Sequence, residues 1–347
     1  MAKLVYKFNP YTFARISAMK SLLLKKEDYD KIMKMDPNEI IKFLQDGVYS
    51  TEINELAIKF SGLKLMENAL NRHILNIFNK LKVISDPNTE YLMNQYLKRY
   101  DFWNLKTILR GKLAEVSDDN ILNMLLPLGM LKIEQLRTII KKTNIKDILS
   151  SSKLINIKDF KDAIDNYENN KDLSIIENLL DYHYYLDSVK FTENMPVQGR
   201  LFKEFFLYEF DIYNIKLVLK KVYFALDKDN VQKYVIYQGK FLNKNIIKSL
   251  LDKEKLSEIV RELSKTPYSR IIKELDNATD PLLRYEVLLE RFLLEKSILL
   301  FHQHPLTVDI VLGYMFAKEI EIRNLRTIIK SKTLEFTEEY VKNLIVV

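Results

Sequence analysis

Three pairs, each an acidic residue followed three positions later by asparagine, stand at a constant interval in this chain. The pairs are Asp101 with Asn104, Asp211 with Asn214, and Glu321 with Asn324. A carboxylate accepts hydrogen bonds and a side-chain amide both donates and accepts them, so each pair could hold a ligand or fasten two backbone segments together. On a helix, with about 100° per residue, both members of each pair fall on the side that carries the apolar residues.

Burial on that side favours one of these two interpretations. An unpaired buried polar group costs about 1–3 kcal/mol, so the acid and the amide need partners. Buried polar groups usually find those partners within their own protein. We therefore predict that each pair forms a buried hydrogen-bond clasp, which locks its helix to a neighbouring segment. A ligand site used three times is the alternative.

Each copy also carries two basic residues four positions apart, on the helix side opposite the clasp. These residues are Lys106 and Arg110, Lys216 and Lys220, and Arg326 and Lys330. Charged side chains are mostly exposed, so an ordinary solvated helix face explains any single pair. The threefold repetition favours a second interpretation, in which six cations bind an acidic shaft or a polar surface facing a membrane. We therefore predict a candidate partner interface at these six residues.

The chain lacks the sequence patterns of common catalytic sites. It contains no phosphate-binding loop or dinucleotide fingerprint, and its seven glycines are too sparse for either. It has no cysteine, and its four histidines (His73, His183, His302 and His304) include no H-E-x-x-H arrangement. The interval between His73 and His183 equals the interval between successive clasp pairs. We therefore predict that the two histidines have the same packing role. We predict no catalytic residue, cofactor or metal site, and a binding or mechanical role.

The clasp residues belong to a ten-residue phrase that repeats with the same period, at 101–110, 211–220 and 321–330. Other residues share the spacing, among them Leu70 with Leu180 and Gly129 with Gly239, and a proline loop precedes each phrase, at Pro87, Pro196 and Pro305. The distance from one phrase to the next is the size of a small domain. We therefore predict three repeats, at 1–119, 120–229 and 230–347, the third truncated at its C-terminal end. Three such units could form a linear array or close around a pseudo-three-fold axis.

Composition places these repeats in the all-α class. Only seven glycines and eight prolines interrupt 347 residues, and apolar residues recur at helical spacing over long stretches such as 282–301. No run of roughly 18 uncharged apolar residues is present, so we expect no membrane span, and we expect no secretory signal at the N-terminus. The absence of cysteine fits a reducing compartment.

The formal net charge of +7 is spread along the chain and interleaved with 47 acidic residues. This bias suggests an acidic partner or surface. A basic α-helical repeat protein that binds nucleic acid is the alternative, but such proteins more often carry a clustered basic stripe. Nucleic-acid binding also falls steeply as salt rises, which separates the two possibilities. We expect no nucleic-acid partner.

Three segments resemble one known family: ARISAMKSLLL at 14–24, YDFWNLKTILRGK at 100–112 and HPLTVDIVLGYMFAKEIEIRNLRTIIKSK at 304–332. They are similar to the C subunit of the A-type and V-type rotary ATPases, whose eukaryotic counterpart is the d subunit of the vacuolar ATPase. The resemblance covers essentially the whole chain. One departure is Ser331, where the family usually has glycine, as at Gly111 in the first copy. The departure concerns only the C-terminal end of the helix that carries the third phrase.

The resemblance implies a funnel of three similar all-helical domains around a pseudo-three-fold axis. It also implies a peripheral location at the cytoplasmic face of the membrane, in the central rotor. The base of the funnel would rest on the membrane ring of proteolipid subunits, and its cavity would receive the shaft made by the D and F subunits. The family has no nucleotide site and transmits torque between ATP synthesis or hydrolysis and ion transport.

Overall fold

The computed structural model describes residues 9–193, 195, 200–269, 281–303 and 308–347. Throughout these ranges the regular secondary structure is helical and no β-strand occurs, which confirms the predicted all-α class. Two of the proline loops, at Pro196 and Pro305, lie outside the described residues, as does His304. The chain divides into two compact units, one formed by Met1–Asp86 with Met195–Val347 and the other by Pro87–Asn194. The repeat boundaries at 119 and 229 remain a prediction.

The described residues of the first part of the larger unit, 9–86, form five helices separated by short turns. They are α1 (Pro10–Lys20), α2 (Lys26–Ile32), α3 (Pro37–Gln45), α4 (Ser50–Leu56) and α5 (Gly62–Ile84). Proline occupies the first position of α1 and α3, where its missing N–H costs no hydrogen bond. Asp36 caps α3 by accepting from the backbone N–H groups of Asn38 and Glu39.

The smaller unit, Pro87–Asn194, contains seven α-helices and one 3-10 turn among its described residues. They are α6 (Pro87–Leu97), α7 (Arg99–Leu113), α8 (Asp118–Met124), α9 (Ile133–Ile140), α10 (Ile145–Ser152), the 3-10 turn Ile157–Phe160, α11 (Lys161–Asn170) and α12 (Ser174–Glu193). The apolar side of α7, with Leu105 and Ile108, packs in a core that also contains Phe160 from the 3-10 turn and Leu180 from α12. Burying one such side chain fully contributes about 1.5–3 kcal/mol.

The second part of the larger unit, Met195–Val347, carries the second and third phrases. Its described helices are α13 (Arg200–Tyr223), α14 (Lys228–Gln232), α15 (Lys244–Leu251), α16 (Leu256–Leu263), α17 (Pro281–Gln303), α18 (Asp309–Thr333) and α19 (Glu338–Leu344). Four buried phenylalanines, at 202, 205, 206 and 210, line one side of α13 ahead of its phrase. The three phrases therefore lie on α7, α13 and α18, which we call the phrase helices.

The phrase helices all end in the same way. Each is followed by a residue in the left-handed conformation, at Glu115, Ala225 and Glu335, with φ of 54°, 50° and 56°. The next N–H donates to a carbonyl five residues earlier: Val116 to Gly111 (2.9 Å), Leu226 to Lys221 (2.8 Å) and Phe336 to Ser331 (3.0 Å). This is the Schellman pattern of helix termination. The copies thus share backbone conformation as well as sequence.

The departure at Ser331 leaves its helix intact. Ser331 is buried within α18, which continues to Thr333. In the first copy, a Cβ at Gly111 would lie 2.6 Å from Cγ1 of Ile121, so the Ile121 side chain would have to shift to accept one. The residues equivalent to Ile121 are Val231 and Val341, which are smaller, and this is consistent with a larger residue at the position of Gly111 in those copies.

Candidate functional site

The three repeated asparagines each exchange two hydrogen bonds with one backbone residue. The pairs are Asn104 with Leu126, Asn214 with Ile236, and Asn324 with Val346. The amide Nδ2 donates to the backbone carbonyl at 2.6–2.8 Å, and Oδ1 accepts from the N–H of the same residue at 2.9–3.0 Å. In every copy the partner lies 22 residues after the asparagine. Each asparagine therefore binds a following segment of chain as a neighbouring β-strand would.

The acid of the first two phrases binds a second stretch of backbone. Asp101 accepts from the N–H groups of Met130 (2.7 Å) and Leu131 (2.9 Å). Asp211 accepts from those of Phe241 (2.8 Å) and Leu242 (3.1 Å). Both carboxylates are buried. Hydrogen bonds to a charged acceptor are stronger than neutral ones, so each acid secures the same loop that its asparagine binds.

Glycine makes this close approach possible. A Cβ at Gly129 would overlap the Asp101 carboxylate, and one at Gly239 would overlap that of Asp211. The two glycines, which occupy equivalent positions in the first and second copies, therefore serve one purpose. They let the backbone of the loop lie against the acid, so that the N–H groups following them can donate.

Asp211 has a further partner, the Tyr268 hydroxyl, which donates to Oδ2 at 2.8 Å. Burial raises the pKa of the Asp211 carboxyl above its ordinary value, although the backbone N–H groups and Tyr268 oppose the shift. Burial and the nearby Asp211 raise the pKa of Tyr268 as well, so the tyrosine remains a proton donor.

The third acid, Glu321, connects the C-terminal part of the larger unit to its N-terminal part. Its Oε2 accepts from the N–H of Leu24 at 2.7 Å, and its Oε1 accepts from the Tyr49 hydroxyl and from Lys318 Nζ. Tyr49, Lys318 and Glu321 are all buried. In the first two copies the acid binds backbone N–H groups about 30 positions after it, whereas here Leu24 and Tyr49 come from the N-terminal part of the sequence. The third clasp therefore fastens α18 to the segment that contains α1–α4.

The two basic residues of each phrase pair with a long helix. Lys106 Nζ lies 2.6 Å from Asp181 Oδ1, and Arg110 binds Glu177 through Nε (2.5 Å) and Nη2 (2.7 Å). The other pairs are Lys216 with Glu290 (3.3 Å), Lys220 with Glu286 (3.9 Å), Arg326 with Asn71, and Lys330 with Glu67 (3.0 Å). The six cations therefore have partners within the chain.

This side of the phrase helices is only partly open to solvent. The inner base of the first two pairs is largely covered, because the side chains of Lys106 and Lys216 are only 17% and 25% exposed. The outer bases are more open, with Arg110 at 62% and Lys330 at 54%. A helical wheel identified the basic side correctly, but in each copy that side packs beside a long helix that supplies acidic or amide partners. Contact of the six basic residues with a partner remains a prediction.

The pairing follows a cyclic order along the chain. The first phrase pairs with α12, which precedes the second phrase, and the second pairs with α17, which precedes the third. The third phrase pairs with α5, which precedes the first. Within the larger unit, the last phrase helix thus contacts α5, a helix that precedes the first phrase in the sequence.

Each copy also contains an aromatic residue that packs against a ring on the long helix, and the sequence did not lead us to predict it. His73 stacks on Tyr49 with ring centroids 4.2 Å apart, and His183 lies 5.1 Å from Phe160. In the larger unit Phe292 lies 5.0 Å from Tyr268. The two histidines therefore share a packing role, as predicted. The spacing of Tyr49, Phe160 and Tyr268, close to the period of the repeat, is the signal that could have identified this position.

A family match over nearly the whole chain accompanies this geometry. The family described as the ATP synthase (C/AC39) subunit matches residues 12–344. The chain belongs to this family. It is 32% identical to the C subunit of the A-type ATP synthase of Methanococcoides burtonii, over 97% of this chain and 94% of the relative. The corresponding subunits of Methanosarcina mazei (33% identity, 97% and 92% covered) and Archaeoglobus fulgidus (26%, 100% of both) are also similar. The resemblance stated from the sequence is confirmed.

Two further observations bear on this member of the ATP synthase subunit family. Among the described residues, no group of three or more histidine, aspartate or glutamate side chains could hold a metal ion. Over the same ranges, none of the helices combines the length and the apolar character needed to cross a bilayer. The clasp acids and amides are occupied by backbone and side-chain partners, so their chemistry is that of structural hydrogen bonding.

Proposed function

We propose that this chain is a non-catalytic subunit of the central rotor of an A-type ATP synthase. In this role it links the shaft of the D and F subunits to the membrane ring of proteolipid subunits, at the cytoplasmic face. It transmits torque, and so couples ATP synthesis or hydrolysis to ion transport. The observation that carries the proposal is the match of residues 12–344 to the ATP synthase (C/AC39) subunit family.

We also propose that the three copies are arranged around a pseudo-three-fold axis in a funnel-like body. The cyclic order of the pairs supports this arrangement. In a linear array, α5 and the last phrase helix, α18, would stand at opposite ends. Instead Lys330 of α18 binds Glu67 of α5, and Glu321 binds the N–H of Leu24.

The contacts of the phrase helices suit a part that carries mechanical load. Each phrase helix is held on one side by buried hydrogen bonds to backbone and on the other by ion pairs or hydrogen bonds to a long helix. Each clasp hydrogen bond has a net value of about 0.5–1.5 kcal/mol, and those to the charged acids about 1.5–3 kcal/mol. A helix fixed on both sides cannot slide or rotate without breaking several of these bonds, so little torque is lost as strain.

The test compares rotary complexes assembled with and without this chain. With the chain present, ATP hydrolysis should drive ion pumping across vesicle membranes. Without it, the soluble head should still hydrolyse ATP but no ion gradient should form, since chemistry and transport occupy different subunits. The purified chain alone should hydrolyse no ATP.

Two results would contradict the proposal. Normal pumping by complexes that lack the chain would exclude the linking role. ATPase activity that follows the purified chain through several columns would exclude the non-catalytic role. Co-purification of the tagged chain with the shaft and ring subunits provides the parallel check on partners.

A further inference from the structure

Exposed apolar side chains concentrate where the phrase helices end. Three equivalent eight-residue stretches, 113–120, 223–230 and 333–340, connect each phrase helix to the short helix after it, and we call them the turn segments. They contain seven of the eighteen large apolar side chains that are exposed among the described residues. The seven are Leu113, Tyr223, Phe224, Leu226, Leu334, Phe336 and Tyr340, with exposures of 37–63%.

The turn segments also carry the opposite charge to the rest of the chain. The first and third each contain three acidic residues and no base, and the second contains two acidic residues and one lysine. That lysine, Lys228, is paired with Asp252. The whole chain has a formal net charge of +7, so acidity here is a local property.

Helix capping explains part of this acidity but not the apolar residues. Asp118, Asp119, Glu338 and Glu339 lie in the first turns of α8 and α19, where negative charge is favourable. Nothing in that role requires Phe224 or Phe336 to be exposed. Clustered exposed apolar side chains usually mark a surface that another molecule covers.

The backbone of the turn segments is fixed before any partner binds. Glu115, Ala225 and Glu335 adopt the left-handed conformation, which costs a non-glycine residue about 1–2 kcal/mol. The Schellman hydrogen bonds hold that conformation. Neighbouring aromatic rings are also set against each other, with centroids 5.0 Å apart for Tyr223 and Phe224 and 5.1 Å for Phe336 and Tyr340. A surface ordered in advance loses little entropy on binding.

We propose that the turn segments at 223–230 and 333–340 are docking surfaces for a protein partner whose contact segment carries lysine or arginine around apolar side chains. The inference rests on the proposed function, because it assigns these surfaces to a subunit of the same rotary complex. An anionic lipid surface does not fit, since the acidic residues beside Leu334 and Phe336 would be repelled. A basic and apolar protein segment satisfies both the charge and the exposed aromatic rings.

Site-specific cross-linking tests the proposal. The chain has no cysteine, so Phe224→Cys and Phe336→Cys each provide one attachment point for a photoactivated cross-linker. Val83→Cys is the control, because Val83 is 85% exposed and lies outside the turn segments. The labelled chains are incorporated into a rotary complex that lacks this subunit, and the products are identified by mass spectrometry. We expect the two turn-segment variants, and not Val83→Cys, to cross-link to a protein segment rich in basic and apolar residues.

Charge reversal provides the second measurement. Glu335→Lys, Glu338→Lys and Glu339→Lys in one chain should weaken association with the complex about tenfold or more, with a smaller loss at high salt. Reversal of Glu27, Asp30 and Asp46, exposed acids elsewhere in the larger unit, makes the same change in net charge and should have little effect. Unchanged melting temperatures would show that both variants fold.

The remaining outcomes would contradict either this inference or the proposed function. Cross-links to lipid, to a second copy of this chain, or to an acidic or uncharged segment would overturn the inference. So would the absence of cross-links from complexes that contain the labelled chain, or equal effects of the two charge reversals. These results leave the proposed function intact. Failure of the unmodified chain to join the complex would instead overturn the proposed function.

Discussion

Replacement of Gly239 by alanine tests whether the loop must lie against the Asp211 carboxylate. A Cβ at this position would overlap the carboxylate, so the loop has to move and the hydrogen bonds from Phe241 and Leu242 are lost. A hydrogen bond to a charged group contributes about 1.5–3 kcal/mol, so losing two lowers the free energy of unfolding by about 3–6 kcal/mol. Movement of the Asp211 side chain would reduce this loss.

Gly47→Ala is the matched control in the same compact unit. A Cβ there would lie 3.6 Å from the Leu44 carbonyl oxygen, an ordinary van der Waals distance, and Gly47 does not require a left-handed conformation. Its effect should stay within about 1 kcal/mol. The measurement is the midpoint of urea unfolding, followed by circular dichroism, for both variants and the parent chain.

A double-mutant cycle identifies the cause of the effect. If alanine at 239 acts through the carboxylate, it should cost much less in a chain that already carries Asp211→Ala. Equal midpoints for Gly239→Ala and Gly47→Ala would refute the reasoning. If Gly239→Ala destabilises a chain that carries Asp211→Ala by the same amount, the steric conflict lies elsewhere in the loop.

Three more predictions concern the clasps and the pairs. Asn104→Leu leaves the buried N–H of Leu126 without a partner, whereas the Leu126 carbonyl keeps its hydrogen bond from the N–H of Leu128, and should lower the free energy of unfolding by about 1–3 kcal/mol, measured by urea midpoints. Lys106→Glu should destabilise by about 1 kcal/mol, and Asp181→Lys in the same chain should restore most of it; failure of that rescue would show that the pair contributes nothing. Burial lowers the pKa of His73, so the unfolded chain binds its proton first, and stability should fall as the pH drops below about 6.5. His73→Phe, which places in the first copy the residue found at Phe292, should flatten that part of the pH profile, and an unchanged profile would assign it to other groups.

Local periodicity in the sequence was sufficient for the all-α class and for the equivalence of the three phrases. Helical spacing predicted that Asp101, Asn104 and their counterparts lie on the buried side, because a residue's side of a helix depends only on its position along that helix. The two glycines were visible as repeated residues. Their purpose was not, since it depends on which carboxylate the loop approaches.

Tertiary structure alone decided what lies against each helix. The basic side of α7 looks the same in sequence whether it faces water or the acids of α12, because the pattern records polarity and not the identity of the neighbour. For the same reason, helical spacing around Glu321 could not indicate that its partners are Leu24 and Tyr49, from the opposite end of the sequence. Contacts of that range form when distant segments pack together, as in the larger unit, where Glu321 and Lys330 of the last phrase helix bind Leu24 and Glu67 from its N-terminal part.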